Sequence, residues 1–138
     1  MNASAGSAIV NALTVDVEDY FHANAFAAAI DPASWSSLDY RAEANTDRLL
    51  ETFARRGVRA TFFVLGWVAK RTPAIVRRIH AAGHEVACHG LNHQLIFKQT
   101  PAVFAAETRE AKQTLEDAAG VAVVGYRAAT YSITRASL

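Results

Sequence analysis

Three features are missing from this sequence of 138 residues: a second cysteine, an excess of charge of one sign, and a long apolar run. Because Cys88 stands alone, the chain cannot form an internal disulfide, and nothing in it requires an oxidising compartment. Fourteen Lys and Arg residues balance 13 Asp and Glu residues, and a net charge of +1 gives no sign of a nucleic-acid surface. No window approaches the ~20 consecutive apolar residues that a membrane span needs.

The amino terminus also lacks a recognisable targeting segment. Residues 1–7 are small and polar, without the charged and apolar regions of a signal peptide. We therefore expect a cytoplasmic protein, with export left open. The composition, 51% hydrophobic and 20% charged, is that of a soluble globular protein. The length predicts one domain over residues 1–138 with a single core.

Apolar runs alternate with segments of helical spacing along the chain. Short runs rich in β-branched and aromatic residues predict strands, and apolar residues at helical spacing between Thr-Pro starts and Gly ends predict helices. This alternating order is typical of an α/β fold with parallel strands and crossover helices. A long loop, residues 20–44, follows the first strand and exceeds ordinary connections. We predict strands at 8–17, 60–65, 84–88 and 121–126, and helices from Asn45 or Thr46 to Arg56, from Pro73 to Gly83 and from Pro101 to Gly120.

Chemically useful side chains follow three of these strands. Asp16, Glu18 and Asp19 cluster at the end of the first strand, and His89 and His93 follow the third. Arg127 comes after the fourth. Because parallel strands bring their carboxyl ends to one edge of a sheet, these groups should converge there. Two His and one carboxylate, with an open position for water, form a recognised hydrolytic zinc site, although a His-x-x-x-His pair alone is weak evidence.

These motifs resemble those of the polysaccharide deacetylases with a NodB-like domain, carbohydrate esterase family 4. The resemblance covers nearly the whole chain and implies the N-terminal part of a distorted (β/α) barrel. Its later motifs have no counterpart before Leu138, so we expect a C-terminally truncated domain that is weakly active or inactive alone. The matching segments are Leu13-Thr14-Val15-Asp16-Val17-Glu18-Asp19, His89-Gly90-Leu91-Asn92-His93 and Arg127-Ala128-Ala129-Thr130-Tyr131.

The resemblance also implies roles for individual residues. A divalent metal, most simply zinc, would be held by His89, His93 and Glu18, with Asp19 as the alternative to Glu18. Asp16 would act as the base and Arg127 would orient it. A backbone N–H near Tyr131 would hold the oxyanion, in a turn where Ala129 replaces the family's usual proline.

The Asp-Val-Glu-Asp-Tyr-Phe form of the first motif looks like the branch of this family that is encoded beside exopolysaccharide loci. The implied substrate is an N-acetylated bacterial polysaccharide or oligosaccharide, from which N-acetyl groups are hydrolysed.

Other functions remain open at this point. The same fold could carry an amidohydrolase of a small cyclic amide, or a non-catalytic metal-binding fragment that self-associates through an open sheet edge. A phosphoacceptor receiver domain does not fit, because it needs an aspartate at the end of strand three, where this chain has Cys88 and His89. His22 lies close in sequence to Asp16, Glu18 and Asp19, and the sequence leaves open whether it supports these acids.

Overall fold

A parallel sheet forms the centre of the fold in the computed structural model, which describes residues 11–137. Its strands lie side by side in chain order. Val17 pairs with Val64 and Val64 with Cys88, so the strands end level with one another. The predicted parallel arrangement is confirmed, while residues 8–10 of the predicted first strand lie outside the described residues. The strands are β1 (Thr14–Val17), β2 (Thr61–Val64) and β3 (Glu85–Cys88).

The helices connect and cover these strands. The predicted helix after Thr100 is confirmed: the Thr100 hydroxyl accepts the N–H of Val103, and Gly120 ends the helix at a φ of 72°. Short 3-10 helices occupy much of the connecting chain, at Tyr20–His22, Asn24–Phe26, Pro32–Ser37, Ile96–Lys98, Ala129–Tyr131 and Arg135–Ser137. The α-helices are α1 (Ala42–Arg56), α2 (Gly66–Arg71), α3 (Pro73–Ala81) and α4 (Pro101–Ala119).

The start of α1 differs from the prediction, which placed it at Asn45 or Thr46. The helix begins at Ala42 because its first N–H groups find a distant acceptor. One carboxylate oxygen of Asp19 accepts the N–H of Arg41 at 2.5 Å and that of Ala42 at 2.9 Å. An acid capping a helix from the end of another element leaves no signal next to the helix itself.

The prediction places no helix between the strand at residues 60–65 and Pro73, whereas α2 begins at Gly66. This glycine permits close packing. A Cβ at Gly66 would lie 2.9 Å from Leu91 Cδ1 and 3.0 Å from Ala111 Cβ. The N–H groups of Gly66 and Trp67 also donate to the carbonyls of Gly90 and Leu91. These bonds tie the start of α2 to the segment that carries the two histidines.

The predicted fourth strand, residues 121–126, is wrong. The segment makes a single parallel bridge between Tyr126 and Cys88. Upstream of that bridge, Glu116 accepts the N–H of Val123, and Val124 is exposed. The apolar run therefore reaches the sheet only at its end, which is still enough to place Arg127 beside β3.

The core lies between the sheet and helices α2, α3 and α4. A fully buried Leu, Ile or Phe side chain contributes about 1.5–3 kcal/mol relative to exposure. Side chains of this kind therefore stabilise the packing of the helices against the sheet. No α-helix within residues 11–137 is long and apolar enough to cross a membrane. The largest fully buried apolar side chains are Phe21, Phe62, Leu65, Ile75, Ile79 and Leu115.

Candidate metal centre

Three potential metal ligands meet where β1 and β3 end. Glu18 directly follows β1, and His89 directly follows β3. His93 returns to the same place because the chain turns through left-handed conformations at Gly90 and at His93 itself, with φ of 82° and 54°. Ligand atoms of Glu18, His89 and His93 lie within 4.8 Å of one another. The turn across Gly90 brings the two imidazole centres to 5.3 Å.

The ring of His89 is held in one orientation by the backbone. Its Nδ1 lies 2.9 Å from the carbonyl oxygen of Arg127, which can only accept a hydrogen bond. Nδ1 must therefore carry the proton, and Nε2 presents a lone pair, as in most histidines that bind metals. Burial lowers the pKa of His89, with only 2% of the residue exposed, so its neutral form is favoured.

Glu18 and His93 approach each other in a way that suits a shared cation. His93 Nε2 lies 3.0 Å from Glu18 Oε2. Yet this buried oxygen has no well-aligned donor among residues 11–137. Burial raises the pKa of Glu18, but the imidazole of His93 and the nearby His89 and His22 outweigh it, and the net shift is downward. An ionised carboxylate beside two imidazole nitrogens is a donor set that Zn²⁺ accepts.

Asp16 and Arg127 form a pair next to these ligands. Arg127 Nη1 donates to Asp16 Oδ1 at 2.6 Å, and its Nη2 donates to Thr14 Oγ1 at 2.9 Å. The guanidinium also lies 3.9 Å from the centre of the Phe63 ring. The second oxygen of Asp16 is 3.9 Å from His89 Nε2. Asp16 thus faces the three potential ligands without joining them, and Arg127 fixes its orientation.

The structure does not place Asp19 among the ligands, although the sequence left it as an alternative. One of its carboxylate oxygens accepts the N–H of Tyr20 at 3.0 Å, and the other caps α1. Asp19 is buried and held by backbone donors. It therefore serves the fold, and Glu18 is the carboxylate that meets the histidines.

Tyr131 also differs from expectation. Its N–H donates to the carbonyl oxygen of Ala128 at 3.2 Å and is not free for an oxyanion in this conformation. Its side chain is 83% exposed. Thr130 and Tyr131 have φ of 50° and 51°, so this turn holds two non-glycine residues in the strained left-handed region.

A cavity of about 300 Å³ contains Asp16, Glu18, His89, His93 and Arg127. Asn24 and Thr130, which the sequence did not indicate, close its side through a hydrogen bond of 2.6 Å between Asn24 Nδ2 and Thr130 Oγ1. Their separation of 106 residues leaves no local signal, apart from the unusual length of the loop that carries Asn24.

Comparison with known proteins agrees with this architecture. The sequence model of the polysaccharide deacetylases matches residues 28–138. A chitooligosaccharide deacetylase of Bradyrhizobium sp. (strain ANU 289) is 33% identical over 88 residues, which cover 64% of this chain and 40% of that protein. The chain spans less than half the length of the first curated relatives it matches.

Solved structures show the same fold. A protein from Mycobacterium smegmatis, described as a polysaccharide deacetylase, is 31% identical with a TM-score of 0.73, covering 90% of this chain and 44% of its own. The Bc1960 peptidoglycan N-acetylglucosamine deacetylase is 26% identical with a TM-score of 0.70, covering 92% and 49%. The resemblance seen in the motifs is confirmed. This chain belongs to the polysaccharide deacetylase family.

Proposed function

We propose that this chain takes part in the metal-dependent hydrolysis of N-acetyl groups on an N-acetylated bacterial polysaccharide. The convergence of Glu18, His89 and His93 beside Asp16 carries the proposal. Two imidazoles and a carboxylate suit a hydrolytic zinc site, and a second carboxylate outside the ligand set is available for proton transfer.

Glu18, His89 and His93 would hold the ion. When bound, zinc supplies Lewis-acid chemistry: it polarises a carbonyl and makes water easier to deprotonate near neutral pH. The unpaired oxygen of Glu18 and the bare Nε2 of His89 support this assignment, because both offer lone pairs in a buried place. His89 already has the tautomer that can bind the ion, because its proton is on Nδ1 and its Nε2 is bare.

Asp16 would accept the proton of the attacking water through Oδ2, the oxygen that faces His89. Its other oxygen is occupied by Arg127, which limits rotation of the carboxylate. Arg127 is itself held by Thr14 of β1 and by the Phe63 ring of β2, so the guanidinium that orients the base is fixed by two further contacts. Proton transfer by a positioned general base typically contributes about 10²–10⁴-fold to the rate.

The relatives support an aminosugar glycan as substrate. Two of them are described as acting on chitooligosaccharide and on the N-acetylglucosamine of peptidoglycan. Both descriptions share an N-acetylated glucosamine unit. We propose the same unit in an exopolysaccharide for this chain, because the Asp16-Val17-Glu18-Asp19-Tyr20-Phe21 form of its first motif resembles that branch of the family.

Release of acetate tests the proposal. Purified chain would be incubated with N-acetylglucosamine oligomers and with N-acetylated exopolysaccharide, with zinc and after chelation. We expect slow zinc-dependent release by the wild type. Asp16→Asn should reduce the rate by about 10²-fold or more while zinc still binds, because only the base is lost. Equal rates for the wild type and Asp16→Asn, or release of acetate that survives chelation, would contradict the proposal.

A further inference from the structure

The peptide that follows Glu18 is held by a side chain with no part in the ligand set. His22 Nδ1 accepts the N–H of Asp19 at 2.8 Å in a buried hydrogen bond. This N–H belongs to the peptide plane joining Glu18 to Asp19. The orientation of this peptide plane fixes the ψ torsion of Glu18, and with it the direction of the Glu18 side chain.

The peptide that precedes Glu18, between Val17 and Glu18, is also fixed. The carbonyl of Val17 accepts the N–H of Leu65 at 3.2 Å, which extends the pairing of β1 with β2. Glu18 therefore lies between a peptide plane anchored to the sheet and one anchored to His22. If the second anchor is removed, rotation about the Glu18 backbone becomes easier.

The ring of His22 is itself immobilised. It is 3% exposed and packs against Phe21, Trp35 and Trp67, with ring centres 4.5, 4.6 and 4.9 Å away. Both indoles meet it edge to face. A side chain so enclosed has little rotamer freedom, and its Nδ1 is pre-set to receive the Asp19 N–H.

The hydrogen bond also fixes the protonation of the ring. A backbone N–H can only donate, so Nδ1 must be bare and the proton of the neutral ring must sit on Nε2. Burial lowers the pKa of His22 to about 4, against the opposing effect of Glu18 and Asp19. Nε2 has no acceptor among residues 11–137. The ring thus remains an uncharged acceptor near neutral pH.

We propose that His22 is a positioning residue that fixes the Glu18–Asp19 peptide and so holds the Glu18 carboxylate in place for metal binding. This inference rests on the proposed function in that Glu18 is taken as a ligand. Outer groups that orient metal ligands typically change metal affinity by about 10- to 100-fold when removed.

Two substitutions separate the hydrogen bond from the packing. His22→Phe keeps an aromatic ring among Phe21, Trp35 and Trp67 but removes the acceptor. His22→Asn keeps an acceptor at the position of Nδ1, since Oδ1 is the same number of bonds from the backbone, but removes the ring. His80→Phe, at an exposed position on α3, is the matched control.

Zinc affinity of the full chain is the readout, measured by calorimetric titration of samples checked for folding by circular dichroism. We expect His22→Phe to bind zinc about 10- to 100-fold more weakly than the wild type. His22→Asn should stay within about threefold although its Tm falls, and His80→Phe should match the wild type. Wild-type affinity in folded His22→Phe, or equal losses in both His22 variants, would overturn the proposal.

A measurement on the wild type keeps the proposal testable if His22→Phe fails to fold. In ¹⁵N-labelled protein, His22 should show a protonated Nε2 and a bare Nδ1 at pH 7, and the Asp19 amide should be protected from hydrogen exchange. A protonated Nδ1 or a rapidly exchanging Asp19 amide would overturn it. If the wild type binds no zinc while these signals are present, the proposed function fails and the His22 contact stands.

Discussion

Two adjacent acids, Glu18 and Asp19, differ sharply in what surrounds them. The carboxylate of Asp19 is occupied by backbone donors of Tyr20, Arg41 and Ala42, whereas Glu18 Oε2 has no aligned donor among the described residues. Sequence spacing favoured Glu18 but left Asp19 as an alternative, because either acid can follow a strand that ends at Val17. Only the distant start of α1 decides which acid remains for a metal.

Substitution of each acid should therefore affect a different property. Glu18→Gln removes a charged ligand and should weaken zinc binding by at least tenfold, with little change in the free energy of unfolding. Asp19→Asn replaces one accepting oxygen by an NH₂ group that faces N–H donors. It should lower the free energy of unfolding by about 1–3 kcal/mol, typical of a hydrogen-bonded charged group.

Zinc titration and urea unfolding of both variants would check this pair of expectations. The interpretation fails if Asp19→Asn loses zinc affinity as strongly as Glu18→Gln while it remains folded. A destabilised Glu18→Gln with unchanged zinc affinity would reverse the assignment of the two acids.

At the scale of the elements, the sequence predicted features that depend on local patterns and missed features that depend on long-range contacts. The His89 and His93 pair, the acids after β1 and the caps of α4 are local patterns, and each was interpretable without a fold. The start of α1, the packing of Gly66 and the pairing of Arg127 with Thr14 depend on partners far along the chain. Residues 121–126 were mistaken for a strand because an apolar run does not reveal how much of it reaches the sheet.

His84 joins two elements and gives the fold a pH dependence. It lies just before β3, and its Nδ1 accepts the N–H of Ala60, just before β2, at 3.2 Å. Burial lowers the pKa of His84, and the positive charge of Arg59 adds to this effect. The unfolded chain therefore binds a proton below pH about 6.5 that the folded chain resists.

We expect stability to fall as pH drops from 7 to 5.5, in part because of this residue. His84→Asn retains an acceptor for the Ala60 N–H and cannot titrate, so it should lose less stability over the same interval. Urea unfolding of both proteins at the two pH values measures the difference, with His80→Asn as the exposed control. Parallel losses in wild type and His84→Asn would contradict this account.

At the scale of the whole molecule, three parallel strands that end level bring β1, β3 and the segment after α4 to one edge. That arrangement places five residues in one cavity, although Asp16 and Arg127 are 111 positions apart in the sequence. The five are Asp16, Glu18, His89, His93 and Arg127. The sequence order of elements predicted this meeting place. Self-association through a sheet edge, also expected from the sequence, stays a prediction.

The most direct test of the account is a zinc titration of the purified wild type and of the double variant His89→Ala with His93→Ala. Calorimetry gives stoichiometry and affinity, and a thermal scan with and without zinc reports the stabilisation that follows from ligand binding to the folded state. The account predicts one zinc per wild-type chain, a higher Tm with zinc, and loss of both effects in a folded double variant. Absence of zinc binding by folded wild type, or equal binding by the double variant, would contradict it.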